Sequence, residues 1–219
     1  MPTIVDLSHV VEDGTITYPG LPAPVISDHL SREDSRQRYA PGYEFQIGRI
    51  DMVSNTGTYL DTPFHRYPDG HDLAGLDPAR VVGVQGIVVD SGADQEIPAT
   101  VLDGLELAGQ AVLFRTGWDR HWGTERYGEP EHPYLSVAAA ERLADGGAAV
   151  VGIDSVNIDG TRTGERPIHS VLLAAGVPII EHLTGLDQIG GRPFTFVAVP
   201  PAIRGMGTFP VRALAQTAS

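Results

Sequence analysis

The stretch SNTGTYLDTPFH, residues 54–65, gathers an amide (Asn55), a phenol (Tyr59), a carboxylate (Asp61) and an imidazole (His65) within eleven positions. These donors fall four, two and four positions apart, with Gly57 permitting a sharp backbone turn and Pro63 blocking a continuous helix. They are expected to converge only by folding of a loop. Grouped in that way they suit proton transfer or cation binding. Each also has an ordinary reading: Asn and Asp are turn residues, Tyr pairs an apolar body with a polar tip, and one His is weak evidence. A second group lies in IHSVLLAAGVPIIEHL, where His169 opens a short helix and Glu181 ends the following strand twelve positions later. Strand ends are where α/β sheets present catalytic groups. A helix-start histidine and a salt-bridged glutamate are the plainer alternatives.

The elements that must carry these residues are read from apolar, β-branched runs and from capping signals. Strands are expected at Thr3 to Asp6, Phe45 to Ser54, Val84 to Asp90, Gln110 to Thr116, Ala149 to Asp154, Val177 to Glu181 and Pro193 to Val199. Ser136 can cap a helix in VAAAERLADGG that stops at Gly146 and Gly147, and Ser170 can cap VLLAAG, which stops at Gly176. A mixed α/β fold follows, in one domain spanning residues 1–219. The polar segments Ser31 to Gly42 and Trp118 to Pro133 lack periodicity and are expected as surface loops of the kind that cover small-molecule sites.

Other candidates carry less. Tyr18, Trp118 and Trp122 suit an aromatic substrate pocket or simple packing, and Arg115 suits a substrate carboxylate or a pairing with an acidic residue. His9, His29, His71, His121, His132 and His182 fall in no ligand spacing, and surface or helix-end positions account for most of them. Strand alternation turns His182 away from the face of Glu181.

Composition removes whole classes of chemistry. The 219 residues include no Cys, which excludes disulfides, thiolate ligands and a cysteine nucleophile. All 15 basic residues are Arg, so a Schiff-base lysine and a phosphate-loop lysine are impossible. A formal charge of -13 without a basic cluster argues against nucleic acid as a partner. No apolar run approaches the roughly 20 residues of a membrane-spanning helix, and the N-terminus lacks the pattern of a signal peptide, so a cytoplasmic location is expected.

The chain resembles the cyclase family, metal-dependent amide and lactam hydrolases that include bacterial kynurenine formamidase and isatin hydrolase. The family motif H-x-G-T-H-x-D-x-P-x-H is matched in frame by Asn55, Gly57, Thr58, Tyr59, Asp61, Pro63 and His65. The likeness continues through the opening DLSH, Tyr18-Pro19-Gly20, LFRTGW at Leu113 to Trp118, GIDSVNID at Gly152 to Asp159, and the His169 and Glu181 pair. It implies a swivelling β/β/α domain and a homodimer or higher homo-oligomer. It also implies that Asp61 and Glu181 correspond to carboxylates bridging two metals, His169 to a ligand of one metal, and His65 to the general acid/base. The two histidines that hold the other metal are replaced here by Asn55 and Tyr59. An amide oxygen is a weak ligand, and a phenol must first lose a proton with an ordinary pKa of about 10.

The expectation is therefore one divalent metal, zinc or manganese, on Asp61, His169 and Glu181, with the second metal absent. Tyr18 and Asn55 are expected beside a small-molecule substrate. The reaction expected is hydrolysis of a small amide, lactam or lactone with His65 moving the proton. The alternatives are a metal-independent cyclase or dehydratase using His65 and Tyr59, and a non-catalytic binding protein on the same fold.

Overall fold

The computed structural model describes residues 3–92 and 94–217. The strands are β1 (Thr3–Asp6), β2 (Val25–Leu30), β3 (Ile47–Asp51), β4 (Tyr59–Asp61), β5 (Val82–Asp90), β6 (Glu96–Ile97), β7 (Ala111–Arg115), β8 (Tyr134–Leu135), β9 (Val150–Ile153), β10 (Ile179–Glu181), β11 (Phe194–Val197), β12 (Thr208–Pro210) and β13 (Leu214–Thr217). Three α-helices accompany them: α1 (Arg32–Ser35), α2 (Val137–Asp145) and α3 (Pro167–Ala174). Nine strands form one mixed sheet in the order β1-β13-β11-β5-β7-β9-β10-β4-β12. Its centre, β5 to β10, is parallel, and both flanks are antiparallel. No described helix is long and apolar enough to cross a membrane.

The central strands form because they are apolar on both faces. Val150–Ile153 is buried at every position, as is Ala111–Phe114. Such runs belong inside a covered parallel sheet. One face packs a core of Leu60, Leu113, Ile180 and Phe196, and the other packs Val112, Ile153 and Ile179 against Leu143 of α2 and Ile168 and Leu172 of α3. Helix α2 begins as the capping signal predicts, with the Ser136 hydroxyl accepting from Ala139 N–H at 3.2 Å.

Helix α3 differs from expectation. It starts at Pro167 rather than after Ser170, because proline's fixed φ suits a first helical position. Its free N–H groups are satisfied from a distance: the Asp159 carboxylate accepts from Ile168 N–H at 2.8 Å and His169 N–H at 3.0 Å. The larger correction concerns residues 54–65. The segment is not a loop throughout, since Tyr59–Asp61 is a fully buried strand between β10 and β12. Short strands of three residues carry too little periodicity to be read from sequence.

Strand pairing sets the side chains that meet. In β4 and β10, Tyr59 lies opposite Glu181 and Asp61 opposite Ile179. On the other edge Thr208 lies opposite Asp61. Directly opposed residues share a face, so Tyr59, Asp61, Glu181 and Thr208 all point toward α3. After β4, Pro63–His65 forms a single 3₁₀ turn that carries His65 to the edge of that face. Gly207 lies so close to this turn that an added Cβ would collide with the backbone N and Cα of His65. We expect Gly207→Ala to displace His65 and to lower stability by about 1–3 kcal/mol, as overpacking does. Chemical denaturation checks this, and an unchanged midpoint would refute the close approach.

Candidate functional site

Asp61, His169 and Glu181 meet beneath a cavity of about 420 Å³ whose lining includes Tyr18, Asn55, Tyr59, His65, Asn157, His169 and Glu181. His169 Nδ1 is bonded to Asp159 Oδ2 at 2.6 Å, which leaves Nε2 facing the two other carboxylates. Those distances are 3.7 Å to Asp61 Oδ2 and 3.6 Å to Glu181 Oε1. A carboxylate on one imidazole nitrogen and open space beyond the other is the arrangement that orients metal-binding histidines.

Every other carboxylate oxygen is occupied. Asp61 Oδ1 accepts from the Thr208 hydroxyl, Glu181 Oε1 accepts from Ile158 N–H at 2.7 Å, and Glu181 Oε2 accepts from the Tyr59 hydroxyl at 2.7 Å. Among the described residues, Asp61 Oδ2 is the one buried carboxylate oxygen with no hydrogen-bond partner. An unsatisfied buried acceptor costs about 1–3 kcal/mol, and more when charged. That orphan oxygen, with His169 Nε2 and Glu181 Oε1 beside it, is a hard anionic donor set that fits a divalent cation. Asp61, His65 and His169 also bring one ligand atom each within 4.8 Å of the others, so His65 stands at the rim of the same position.

Donor counting assigns the His65 tautomer. The Thr208 hydroxyl has one proton and gives it to Asp61 Oδ1, which has none to offer. His65 Nδ1, 2.8 Å from the same hydroxyl, must therefore donate to it. The lone pair is left on Nε2, and 36% of the side chain is accessible at the cavity edge. This is the disposition of a proton acceptor.

The charges explain the titration behaviour. Burial lowers the basicity of His169, but Glu181, Asp159 and Asp61 outweigh it and raise its pKa to about 10. Burial and the charge of Asp61 push Glu181 up to about 7, against the pull of His169 and Tyr59. Burial, reinforced by Glu181 and Asp61, holds the Tyr59 phenol well above its ordinary value. Tyr59 thus stays protonated. Its single proton goes to Glu181 rather than to the cavity, where an oxyanion donor would need to point.

Several residues had no role in the sequence reading. Asp159 lies in the GIDSVNID stretch, but its bond to His169 across ten positions leaves no local signal. Thr208 depends wholly on the β4–β12 pairing. His182 is corrected from the opposite face: its φ of 59 breaks strand alternation and returns the ring to Tyr59, with Nε2 at 3.2 Å from the hydroxyl. Burial, then the nearby charge of His9, lowers its pKa to about 3. His132 is also fully buried, and only His29 of the six unassigned histidines is exposed. Trp118 packs against Tyr127 and Val156 instead of lining the cavity, and Trp122 stacks on His9 with ring centroids 3.9 Å apart. Arg115 pairs with Asp90.

The residues 5–160 match the family model described as "Putative cyclase". The kynurenine formamidase of Bacillus cereus is 27% identical over 216 residues, covering 96% of this chain and 95% of its own. That of Bacillus cytotoxicus is 28% identical with the same coverage. Among solved structures, a potential metal-dependent hydrolase with cyclase activity aligns with TM-score 0.81 at 25% identity, covering all of both chains. Isatin hydrolase A from Labrenzia aggregata shares the fold, with TM-score 0.84 at 23% identity over 100% of this chain and 94% of that one.

The raised pKa values give a signed expectation for the metal-free protein. His169 binds its proton more tightly folded than unfolded, so its stabilisation is fully present below 6.5 and is lost as pH rises toward about 10. Glu181, raised from 4.5 to about 7, acts in the same direction over a lower window. The neutral buried His182 acts oppositely, but only below its ordinary value of 6.5. Calorimetry on chelator-treated protein should show the melting temperature falling between pH 7 and 10, less steeply in His169→Gln; identical slopes would refute the assignment.

Proposed function

The chain belongs to the cyclase family, and on that premise we propose that it hydrolyses a small amide, lactam or lactone in the manner of a kynurenine formamidase. One divalent cation, zinc or manganese, is held by Asp61, His169 and Glu181, and His65 is the general acid/base. The observation that carries this reading is the orphaned Asp61 Oδ2 facing His169 Nε2 at 3.7 Å, with Glu181 Oε1 at 3.6 Å from the same nitrogen. Family resemblance alone supports the bridging character of the carboxylates, whereas this donor set supports a cation on chemical grounds.

The residues divide the work. A cation held by Asp61, His169 and Glu181 would supply Lewis acidity toward the scissile carbonyl. His65 Nε2 takes a proton from water as the water oxygen bonds the carbonyl carbon. The same proton then passes to the leaving nitrogen or oxygen as its bond to carbon breaks. Thr208, bonded to both His65 Nδ1 and Asp61 Oδ1, holds the imidazole ring in place. Tyr18, Asn55 and Asn157 line the cavity and contact the substrate, whose size is limited by a volume of about 420 Å³. The second metal of the family is absent from this reading, because a neutral phenol and an amide replace its imidazoles. A metal-free route through Tyr59 is disfavoured by the commitment of its proton to Glu181.

The same reading includes a homodimer or higher homo-oligomer. Strands β2 and β3 pair with each other as a two-stranded ribbon outside the main sheet, and Val25, Ile26, Phe45, Ile47 and Ile50 are all exposed on or beside it. An isolated two-stranded ribbon is marginally stable in water, which favours cover by a second copy.

We expect His65→Ala to reduce hydrolysis of an N-formyl aromatic amine by 10² to 10⁴-fold, the usual contribution of a general acid/base, with unchanged circular dichroism. Full activity in that variant would remove His65 from the mechanism, and no turnover of any amide, lactam or lactone by the zinc- or manganese-loaded wild type would overturn the enzymatic reading. Ile50→Asp, opposite Ile26 in the ribbon, should shift sedimentation toward monomer. A wild type that sediments as monomer would rule out the assembly.

A further inference from the structure

On the side of Glu181 away from Ile158, three buried side chains form a chain of hydrogen bonds whose direction follows from counting protons. Tyr59 donates to Glu181 Oε2 at 2.7 Å, the carboxylate being an acceptor in the ionised form that binds a cation. That spends the only proton of the phenol. His182 Nε2, 3.2 Å from the same oxygen, is therefore the donor and carries the imidazole proton. His182 Nδ1 is then an acceptor, and the Tyr127 hydroxyl donates to it across 2.8 Å. The order is Tyr127 to His182 to Tyr59 to Glu181. The three aromatic residues are 3%, 0% and 2% exposed, so water does not compete for these bonds.

The placement is built rather than incidental. His182 is the one non-glycine residue with positive φ among the described residues, a conformation disfavoured by its Cβ. The surrounding backbone holds it there: its N–H donates to Ser155 O at 3.2 Å, and its carbonyl accepts from the Thr58 hydroxyl at 2.5 Å. Tyr127 is anchored by Trp118 Nε1, which donates to its carbonyl at 2.9 Å. Trp122 closes the group edge-on, with ring centroids 5.1 Å from Tyr127 and 5.9 Å from His182.

We propose that His182 and Tyr127 are positioning residues that act through Tyr59 on Glu181, fixing its carboxylate so that Oε1 faces His169 and so setting the affinity of the site for its cation. This rests on the single-cation reading above. Glu181 Oε1 is tied to Ile158 N–H and Oε2 to Tyr59, so the carboxylate is restrained at both ends. The relay also commits the His182 proton to Nε2. With the Nε2 proton directed to Tyr59 and the Nδ1 lone pair taken by Tyr127, neither nitrogen of this imidazole is free to act as a ligand.

The test uses the full chain with His182→Asn and Tyr127→Phe. Asparagine tolerates the left-handed backbone but is too short to bridge both hydroxyls, and Tyr127→Phe removes one oxygen, so it decides the matter if His182→Asn does not fold. Zinc dissociation constants are measured by competition with a chromophoric chelator, and imidazole tautomers by ¹⁵N NMR of the zinc-free protein. We expect zinc binding to weaken about 10 to 100-fold in His182→Asn and about tenfold in Tyr127→Phe, the range for lost outer partners of metal ligands. The wild-type His182 resonances should show Nε2 protonated and Nδ1 bare. Zinc affinity within about twofold of wild type in both variants, with only their melting temperatures lowered, would reduce the relay to packing and overturn the proposal. A proton on Nδ1 would overturn it equally. A wild type that binds neither zinc nor manganese would end the single-cation reading and this inference together, whereas tight binding shared equally by all three proteins would end this inference alone.

Discussion

Two carboxylates, Asp61 and Glu181, are buried within reach of one imidazole nitrogen, and a third, Asp159, holds the other nitrogen of that ring. Removing one such ion from water carries a penalty of several kcal/mol unless partners replace its hydration. The surrounding residues supply those partners one oxygen at a time: Thr208, Ile158 N–H, Tyr59, and the N-terminal amides of α3. A single acceptor, Asp61 Oδ2, is left over. The excess negative charge raises the pKa of His169 against burial, while burial first and the charge of Asp61 second raise that of Glu181, and the same charge fits the pocket to a dication.

Sheet register delivers this balance. Strand β4 enters between β10 and β12, so Tyr59 and Asp61 acquire neighbours on both sides, from residues 122 and 147 positions away. A slip of one residue would send Asp61 and Tyr59 into the opposite, apolar core beside Leu113 and Ile180, and Leu60 out of it. The short 3₁₀ turn that follows carries His65 just far enough to share Thr208 with Asp61. One hydroxyl thereby couples His65 to Asp61.

The replaced motif positions acquire a physical meaning in this setting. A histidine at position 59 would need its own orienting partner and a second cation to balance the carboxylates. The phenol needs neither, because it can give a proton to Glu181 while accepting one from His182. The segment Trp118–Pro133, of the kind expected to cover a small-molecule site, instead packs Trp118, Trp122 and Tyr127 into an aromatic cluster, and Tyr127 reaches Tyr59 only through His182. None of these three cluster residues lines the cavity, whose wall includes Tyr18, Asn55, Tyr59 and His65.

The sequence by itself determined the α/β class, the central apolar strands, the Ser136 cap and the family to which the chain belongs, because burial periodicity, capping and motif frame are local or linear properties. It also marked Asp61, His65, His169 and Glu181 as a set, through the family's spacing rather than through any signal of the residues alone. It missed the strand nature of Tyr59–Asp61, the true start of α3 and the roles of Asp159, Thr208, His182 and Tyr127. Those depend on pairing across a sheet, on a carboxylate reaching a helix start ten positions away, and on a left-handed residue that reverses strand alternation. Only the tertiary structure decided which oxygen remains unpaired, since hydrogen-bond satisfaction is a property of all neighbours at once and has no counterpart in the spacing of any one segment.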